Sequence, residues 1–273
     1  MLSNNVKIFI VPISLATMTR RAMTAKQIDG IDAAHATAAA TTKLLRDCGF
    51  AWTRATEFRP LLPDSALANW PSFAASWNDL GVDTYMADGG RYRRRRFSAF
   101  AVSSNAIVLK PHQPHYQSQD YNPLNGGIER WFLPFKNELA DHPILQAILR
   151  VCYAIFNELA STDSPPLVWH VECHQFRIEA KHNQQGQPTP EGLHRDGVDW
   201  VLVMLVAREN IAEGVTTIYD ASKRPLGSFT LATAFDAAFV DDSRVYHGVT
   251  AVKPIDPQRA AYRDVLVVTF RRG

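Results

Sequence analysis

The stretch Gly192-Leu193-His194-Arg195-Asp196-Gly197, answered from far downstream by His247 in Val245-Tyr246-His247-Gly248-Val249, decides how this chain is read. His194 and Asp196 stand two apart, and on an extended segment that spacing sends both side chains to one face. Two imidazoles and one carboxylate on one side of an ion, with the opposite positions open to small ligands, form the facial triad that suits non-haem Fe(II). A structural zinc site would close four ligands, usually with thiolates, and Cys48, Cys152 and Cys173 lie far apart in the sequence. HxD alone is a weak signal, and a chain with nine histidines nearly always offers a later one. The surroundings sharpen it: glycines flank the dyad, an apolar run Val201 to Val206 follows, and Asp241-Asp242 makes a turn ahead of the distal histidine.

Around this core the pattern is one of short strands: Leu167 to Ile178, Gly192 to Val206, Thr216 to Tyr219, Gly227 to Leu231, Ala237 to Val240, Val245 to Val252 and Asp264 to Phe270. Short strands punctuated by Gly, Pro and Asp point to an antiparallel sandwich or barrel. Several such strands bridge the fifty residues between Asp196 and His247 and return the chain to the same pole. Asn183 to Glu191 joins the first two strands and delivers the chain to His194. Upstream, Ala25 to Cys48 is alanine-rich and stops at Gly49, as one or two helices would. Leu61 to Trp77 carries a helical face interrupted at Pro71. Asp141 to Leu159 repeats its apolar residues every 3.6 positions, the pattern of a helix packed on the sheet.

The composition fits a globular protein: 46% of the 273 residues are hydrophobic and the formal charge is +2. A balance so near zero supplies no strong field for nucleic acid or an anionic membrane. Three cysteines without motif spacing argue for free thiols and a cytoplasmic setting. Val6 to Ala16 is mostly apolar, but Pro12 and Ser14 interrupt it and Arg20-Arg21 follow without a small-residue cleavage site. It reads as an N-terminal strand or an overlong start more readily than as a signal peptide. No run reaches the roughly 20 apolar residues of a membrane span.

Arg93-Arg94-Arg95-Arg96 is the sharpest charge run and invites a nucleic-acid reading, yet it falls in a strand expected over Arg91 to Val102 after the turn Asp88-Gly89-Gly90. Alternate arginines then face opposite sides, so ion-paired or solvated arginines are the better account. Pro111 to Trp131 reads as a loop and a candidate lid or substrate wall, with His112 and His115 as surface histidines. Arg263 lies sixteen residues beyond His247 and opens the apolar strand Val265 to Phe270, where an inward arginine would be costly without an anion. It is the candidate anchor for the distal carboxylate of 2-oxoglutarate. Thr269 and the runner-up anchor Arg271 share its parity, and a surface ion pair is the bland alternative for both arginines.

These blocks, in order, resemble the bacterial 2-oxoglutarate/Fe(II) dioxygenases that include the L-isoleucine 4-hydroxylase-like enzymes acting on free amino acids. The resemblance covers roughly Tyr92 to Phe270. It is carried by Tyr92 to Phe97, His174-Gln175-Phe176-Arg177, Pro188 to Gly197, Arg208-Glu209-Asn210-Ile211, Asp241 to His247 and Tyr262 to Leu266. Ala212-Glu213-Gly214-Val215 departs from it, where the group more often has a glycine pair followed by an acidic residue. The resemblance implies an α+β chain with a mainly β core, a double-stranded β-helix (jelly roll, cupin-like) with N-terminal and central helices packed outside. Residues 1–24 would be an extension and 25–273 a single dioxygenase domain, with helical support at 25–80 and 141–160 and the jelly-roll core at about 91–110 and 167–272.

The chemistry so implied is hydroxylation of a C–H bond using Fe(II), 2-oxoglutarate and O2, with succinate and CO2 as co-products and ascorbate as the reductant in vitro. Arg177 would bind the carboxylate of an amino-acid substrate and Gln175 a polar neighbour or 2-oxoglutarate, if His174 and Phe176 pack outside; the alternative is that both are structural hydrogen-bonders. Trp200 would line the pocket or, equally, pack in the core. A small-molecule substrate, an amino acid, is expected, with no nucleic-acid or membrane partner. The oligomeric state stays open, a homodimer included. An oxygenase of protein or nucleic acid and a non-catalytic cupin-like metal sensor are the alternatives.

Overall fold

The computed structural model describes residues 30–160 and 168–272. The expected extension 1–24, the start of the 25–48 helix and Leu167 lie outside the described residues.

Period-two hydrophobicity builds a wide antiparallel sheet. Its order is Phe50–Thr53, Ala237–Asp241, Trp200–Glu209, Ala261–Arg272, Trp169–Ala180, Arg93–Val102 and Gly81–Val82, with Ile107–Leu109 also paired to Arg93–Val102. A smaller sheet, Pro225–Thr230, Val215–Tyr219 and Tyr246–Val249, packs against it. The two meet through one buried apolar cluster, in which Val201, Leu205, Ala238, Val240 and Val265 of the wide sheet touch Ile218 and Phe229 of the small one. An antiparallel bridge between His194 and His247 adds the ligand segment to the edge of the small sheet. This is the antiparallel sandwich expected from the strand pattern, and the double-stranded β-helix that the family resemblance implies.

Each central strand divides its residues between two environments. Trp200, Leu202, Met204 and Val206 face the helices, as do Leu266, Val268 and Phe270 and, on the next strand, Trp169, Val171 and Cys173. The intervening positions face the small sheet. The helix Pro143–Leu159 supplies the cover. Pro143 sits in its first turn, and the His142 ring accepts a hydrogen bond from the Ile144 N–H at 3.3 Å. Its buried stripe of Ile144, Leu145, Ile148, Leu149, Cys152, Ile155 and Phe156 lies on the sheet. Phe156 stacks on Trp200 and meets Phe239 and Phe270 edge-on. Gly30–Cys48 is one helix, closed by Gly49 at φ +80, a conformation that glycine adopts without strain.

Several boundaries differ from the sequence expectation. Pro71 does not interrupt a helix over 61–77; it occupies the first turn of a new one, Trp70–Ala75, where its missing N–H costs nothing. The strand expected from Gly192 begins only at Trp200. His112 is exposed, as expected, but His115 is not a surface residue: it begins a two-residue ladder with Glu129–Arg130 and turns its ring onto Glu172. The three cysteines are free. Among the described residues, no helix is long and apolar enough to cross a membrane.

Phe156 joins the helix layer to three separate strands. Phe156→Ala should cost about 3–5 kcal/mol of unfolding free energy, read by urea denaturation, because the surrounding aromatic rings cannot collapse into the space.

Candidate active site

The structure brings His194, Asp196 and His247 together, with ligand atoms within 4.8 Å of one another. Two backbone hydrogen bonds of 3.0 Å, exchanged between His194 and His247, hold the two imidazoles side by side. Asp196 lies in the turn that follows. Its two carboxylate oxygens stand 3.6 Å from the Nε2 atoms of His194 and His247 respectively, too far for hydrogen bonds and spaced as donors around an ion. The Nδ1 of His194 meets the Gly192 carbonyl at 3.0 Å, which fixes the ring with Nε2 pointing inward.

The ligand turn is held from below by Asp242. One of its carboxylate oxygens accepts the Asp196 N–H at 2.9 Å, and the other accepts those of Gly197 at 2.7 Å and Val198 at 3.1 Å. Burial and the neighbouring Asp196 charge push the Asp242 carboxyl up to about 7, against the pull of these three donors. Gly197 has φ +80, and a Cβ there would sit 2.6 Å from the Tyr121 ring. Only glycine fits the turn. Tyr121 belongs to the segment Pro111 to Trp131, which forms a wall of the site as expected. From it, the Gln117 amide donates to the Asp196 carbonyl at 3.1 Å.

Burial alone would make His194 harder to charge, but the Asp196 and Glu191 carboxylates outweigh it and raise its pKa to about 9. His247 moves down to about 4, through burial and the His194 charge. Binding a metal ion must displace the proton from His194, so affinity falls as the solution is acidified.

The triad opens into a cavity of about 320 Å³ between the two sheets, small-metabolite scale. Arg263 lines it, fully buried, with Nε and Nη2 lacking any partner. Burial, with the nearby Arg208 charge, lowers its pKa to about 10. Arg271 also lines the cavity but is exposed to solvent, so the buried cation of the pair is Arg263. Thr269 faces the cavity too, yet six residues of strand, roughly 20 Å, separate it from Arg263. The two cannot grip one carboxylate.

Three other expectations are corrected. Gln175 and Arg177 face away from the cavity. Gln175 pairs across the sheet with Leu266, a helix-side residue, and donates to the Ser76 hydroxyl at 2.8 Å. Arg177 makes a two-pronged ion pair with Asp264 at 2.7 Å. The assumed parity was inverted: His174 and Phe176 line the cavity. Trp200 lies in the helix-side core against Phe156.

The arginine run divides as the strand requires. Arg94 and Arg96 point outward, to Glu179 and to Asp79. Arg93 and Arg95 line the cavity. Arg93 binds Asp83 through Nε and Nη2 at 2.8 Å. Arg95 lies over the rings of Phe132 and Phe176 and meets His174 Nδ1 at 2.7 Å. Beside it stands a second group of metal-capable side chains, His115, Glu172 and His174. There the donors satisfy one another: His115 Nδ1 bonds Glu172 at 2.8 Å, and His170 meets the other carboxylate oxygen at 3.3 Å. Burial pushes His174 down to about 3, and Arg95 adds to that shift. A guanidinium at this distance opposes a cation, so this cluster is a polar wall and the open triad is the better metal centre.

A jelly roll with two imidazoles and a carboxylate at one end of its inter-sheet cavity defines a mononuclear non-haem oxygenase architecture. The family model described as 2OG-Fe dioxygenase matches residues 74–269, and the chain belongs to that family. It is accordingly an oxidoreductase that uses Fe(II), 2-oxoglutarate and O2. The crystal structure of a bsmA homolog from Methylobium petroleophilum is 34% identical, with a TM-score of 0.77 over 86% of this chain and 93% of that one. The L-isoleucine-4-hydroxylase of Bacillus thuringiensis is 27% identical over 66% of this chain and 75% of its own length. The 3(1)-hydroxy-L-isoleucine 4-dioxygenase of Pantoea ananatis is 26% identical over 59% and 64%.

Asp242→Ala removes the acceptor of three N–H groups beneath the ligand turn. Fe(II) affinity, measured by competition with a chelator, should fall about 10–100-fold, and Asp242→Asn, which keeps one carbonyl oxygen, should fall less.

Proposed function

We propose that the chain hydroxylates a free amino acid, or a close relative of one, with His194, Asp196 and His247 holding Fe(II) and Arg263 receiving the distal carboxylate of 2-oxoglutarate. The observation that carries this is a pairing within one cavity: three donors that converge without bonding one another, and a buried guanidinium without an anion. An unpaired buried cation is costly unless a ligand completes it, and a guanidinium fork matches a carboxylate in two parallel hydrogen bonds. When bound, the iron and 2-oxoglutarate supply an O2-derived oxidant able to break an unactivated C–H bond, with succinate and CO2 released.

The protein's part is placement. The His194–His247 bridge and Asp242 fix the donors, and Val240 and Val265 of the inter-sheet apolar cluster give the cavity an apolar lining. Small substrates are favoured over a protein or nucleic acid by the cavity volume and by the Gln117 bond that draws the 111–131 wall onto the ligand turn. The amino-acid class is supported by the two relatives named for isoleucine and its hydroxylated form.

The test is succinate release from 2-oxoglutarate under air with Fe(II) and ascorbate, screening the twenty amino acids, with mass spectrometry for a gain of one oxygen. One or a few amino acids should stimulate turnover strongly. Stimulation by none of them, with slow release persisting, would exclude the twenty standard amino acids and move the substrate to a modified or larger molecule. His194→Ala and Asp196→Ala should each abolish turnover; wild-type rates in either would sink the metal assignment. Arg263→Ala should raise the KM for 2-oxoglutarate by at least tenfold while leaving that of the prime substrate near its original value. The same effect from Arg271→Ala instead would move the anchor to the cavity mouth.

A further inference from the structure

The cavity holds a second unmatched cation and one carboxylate with a buried oxygen that has no partner. Arg130 is 2% exposed, its Nε has no partner, and its one hydrogen bond is a long 3.4 Å contact to the Gln117 side-chain oxygen. That oxygen already accepts from Asn122 at 3.0 Å. Arg93 and Arg95 share the Asp83 carboxylate, at 2.8 and 3.6 Å, and Arg95 also lies over two aromatic rings, so Arg130 is the cation of this wall that makes no ion pair among the described residues. Burial and the Arg93 charge lower its pKa, against the pull of the Asp83, Glu191 and Glu172 carboxylates. On the acidic side, Asp83 is taken by Arg93 and Glu172 by His115 and His170. Glu191 remains. Its side chain is 8% exposed, Oε2 is buried without a partner, and Oε1 lies 3.4 Å from His194 Nε2.

Both residues line the same cavity as the triad, and no ion pair joins them among the described residues. They are also tied to the ligand turn. Gln117 contacts Arg130 through its oxygen and Asp196 through its nitrogen, while Glu191 precedes His194 by three residues. A ligand recognised here carries a negative and a positive group close together and presents its remaining atoms to the cavity. An α-amino acid at neutral pH is such a molecule, with an ionised carboxyl and a protonated amine.

Resting on the amino-acid reading above, we propose that Arg130 receives the α-carboxylate of the prime substrate and Glu191 its ammonium group. Arg263 serves 2-oxoglutarate and Arg130 the substrate, so each of the two carboxylate ligands has its own buried guanidinium. The zwitterion is thereby held by its charged end beside the ligand turn, with its side chain left to the rest of the cavity. Glu191 is here a substrate group and not a fourth metal donor.

The test is calorimetry on the Fe(II)- and 2-oxoglutarate-loaded enzyme under nitrogen, which needs no turnover. The titrants are the twenty amino acids, then for the best binder its deaminated acid and its decarboxylated amine. Glu191→Gln should weaken the amino acid at least tenfold, leave the deaminated acid within twofold of wild type, and keep Fe(II) bound. Arg130→Gln should weaken the amino acid and the deaminated acid alike and spare the amine, with Arg130→Lys intermediate because it keeps the charge and loses the fork. Loss of Fe(II) in Glu191→Gln would reassign that carboxylate to the metal and overturn the proposal. So would equal losses for all three titrants, or none. If the wild type binds no amino acid, the amino-acid reading itself falls; if it binds one and both variants bind it equally well, that reading stands and this assignment fails.

Discussion

Two backbone hydrogen bonds between His194 and His247 carry more of this molecule's purpose than any side-chain contact in it. They turn two positions fifty-three residues apart into neighbours on the edge of the small sheet, so the imidazole geometry is inherited from strand pairing. Everything between them then has one duty: to leave and return in register. Val215–Tyr219 pairs with both Pro225–Thr230 and Tyr246–Val249, and that ladder sets the height at which His247 meets its partner. Asp242 completes the constraint from the turn just ahead, collecting the three N–H groups that the HxD loop would otherwise leave unsatisfied.

The triad was legible in the sequence because metal chemistry restricts residue type and spacing so severely. The β-rich core was legible because short apolar strands alternate. Parity on the strand Trp169–Ala180 was misread, and the missing information lay in its own first half. Trp169, Val171 and Cys173 are the apolar set, and continuing that alternation puts Gln175 and Arg177 on the helix side. Trp200 follows the same rule with Leu202 and Met204. The strand expected to begin at Gly192 begins eight residues later because positive φ at Gly192 and Gly197 makes the ligand segment a loop, bridged to the small sheet at His194.

Arg130, Glu191 and Asp242 could not be singled out by the same means. Each has an ordinary local context, and what distinguishes it is which partners the fold brings or withholds. Asp242 gathers three donors from a segment more than forty residues away. His115 drew attention only as a loop histidine, because Glu172 comes from a central strand fifty-seven positions on. Unmatched charge is a property of the finished cavity, visible once Asp83 has been assigned to Arg93 and Glu172 to the histidines. The arginine run behaves in between: alternation split it correctly into outward and inward pairs, while the aromatic bed beneath Arg95 is purely tertiary.

The division of the strand Ala261–Arg272 has a consequence for how such a protein can change over generations. Leu266, Val268 and Phe270 answer to the helix layer, and Arg263, Val265 and Val267 answer to the cavity. Adjacent codons in one short stretch of gene are therefore under separate judges, one of folding and one of chemistry. A lineage can redraw the cavity face position by position, trying new ligands, without reopening the question of whether the sheet forms. Divergence to low identity with the fold intact is what that arrangement permits, and the substrate is the feature it leaves freest to drift.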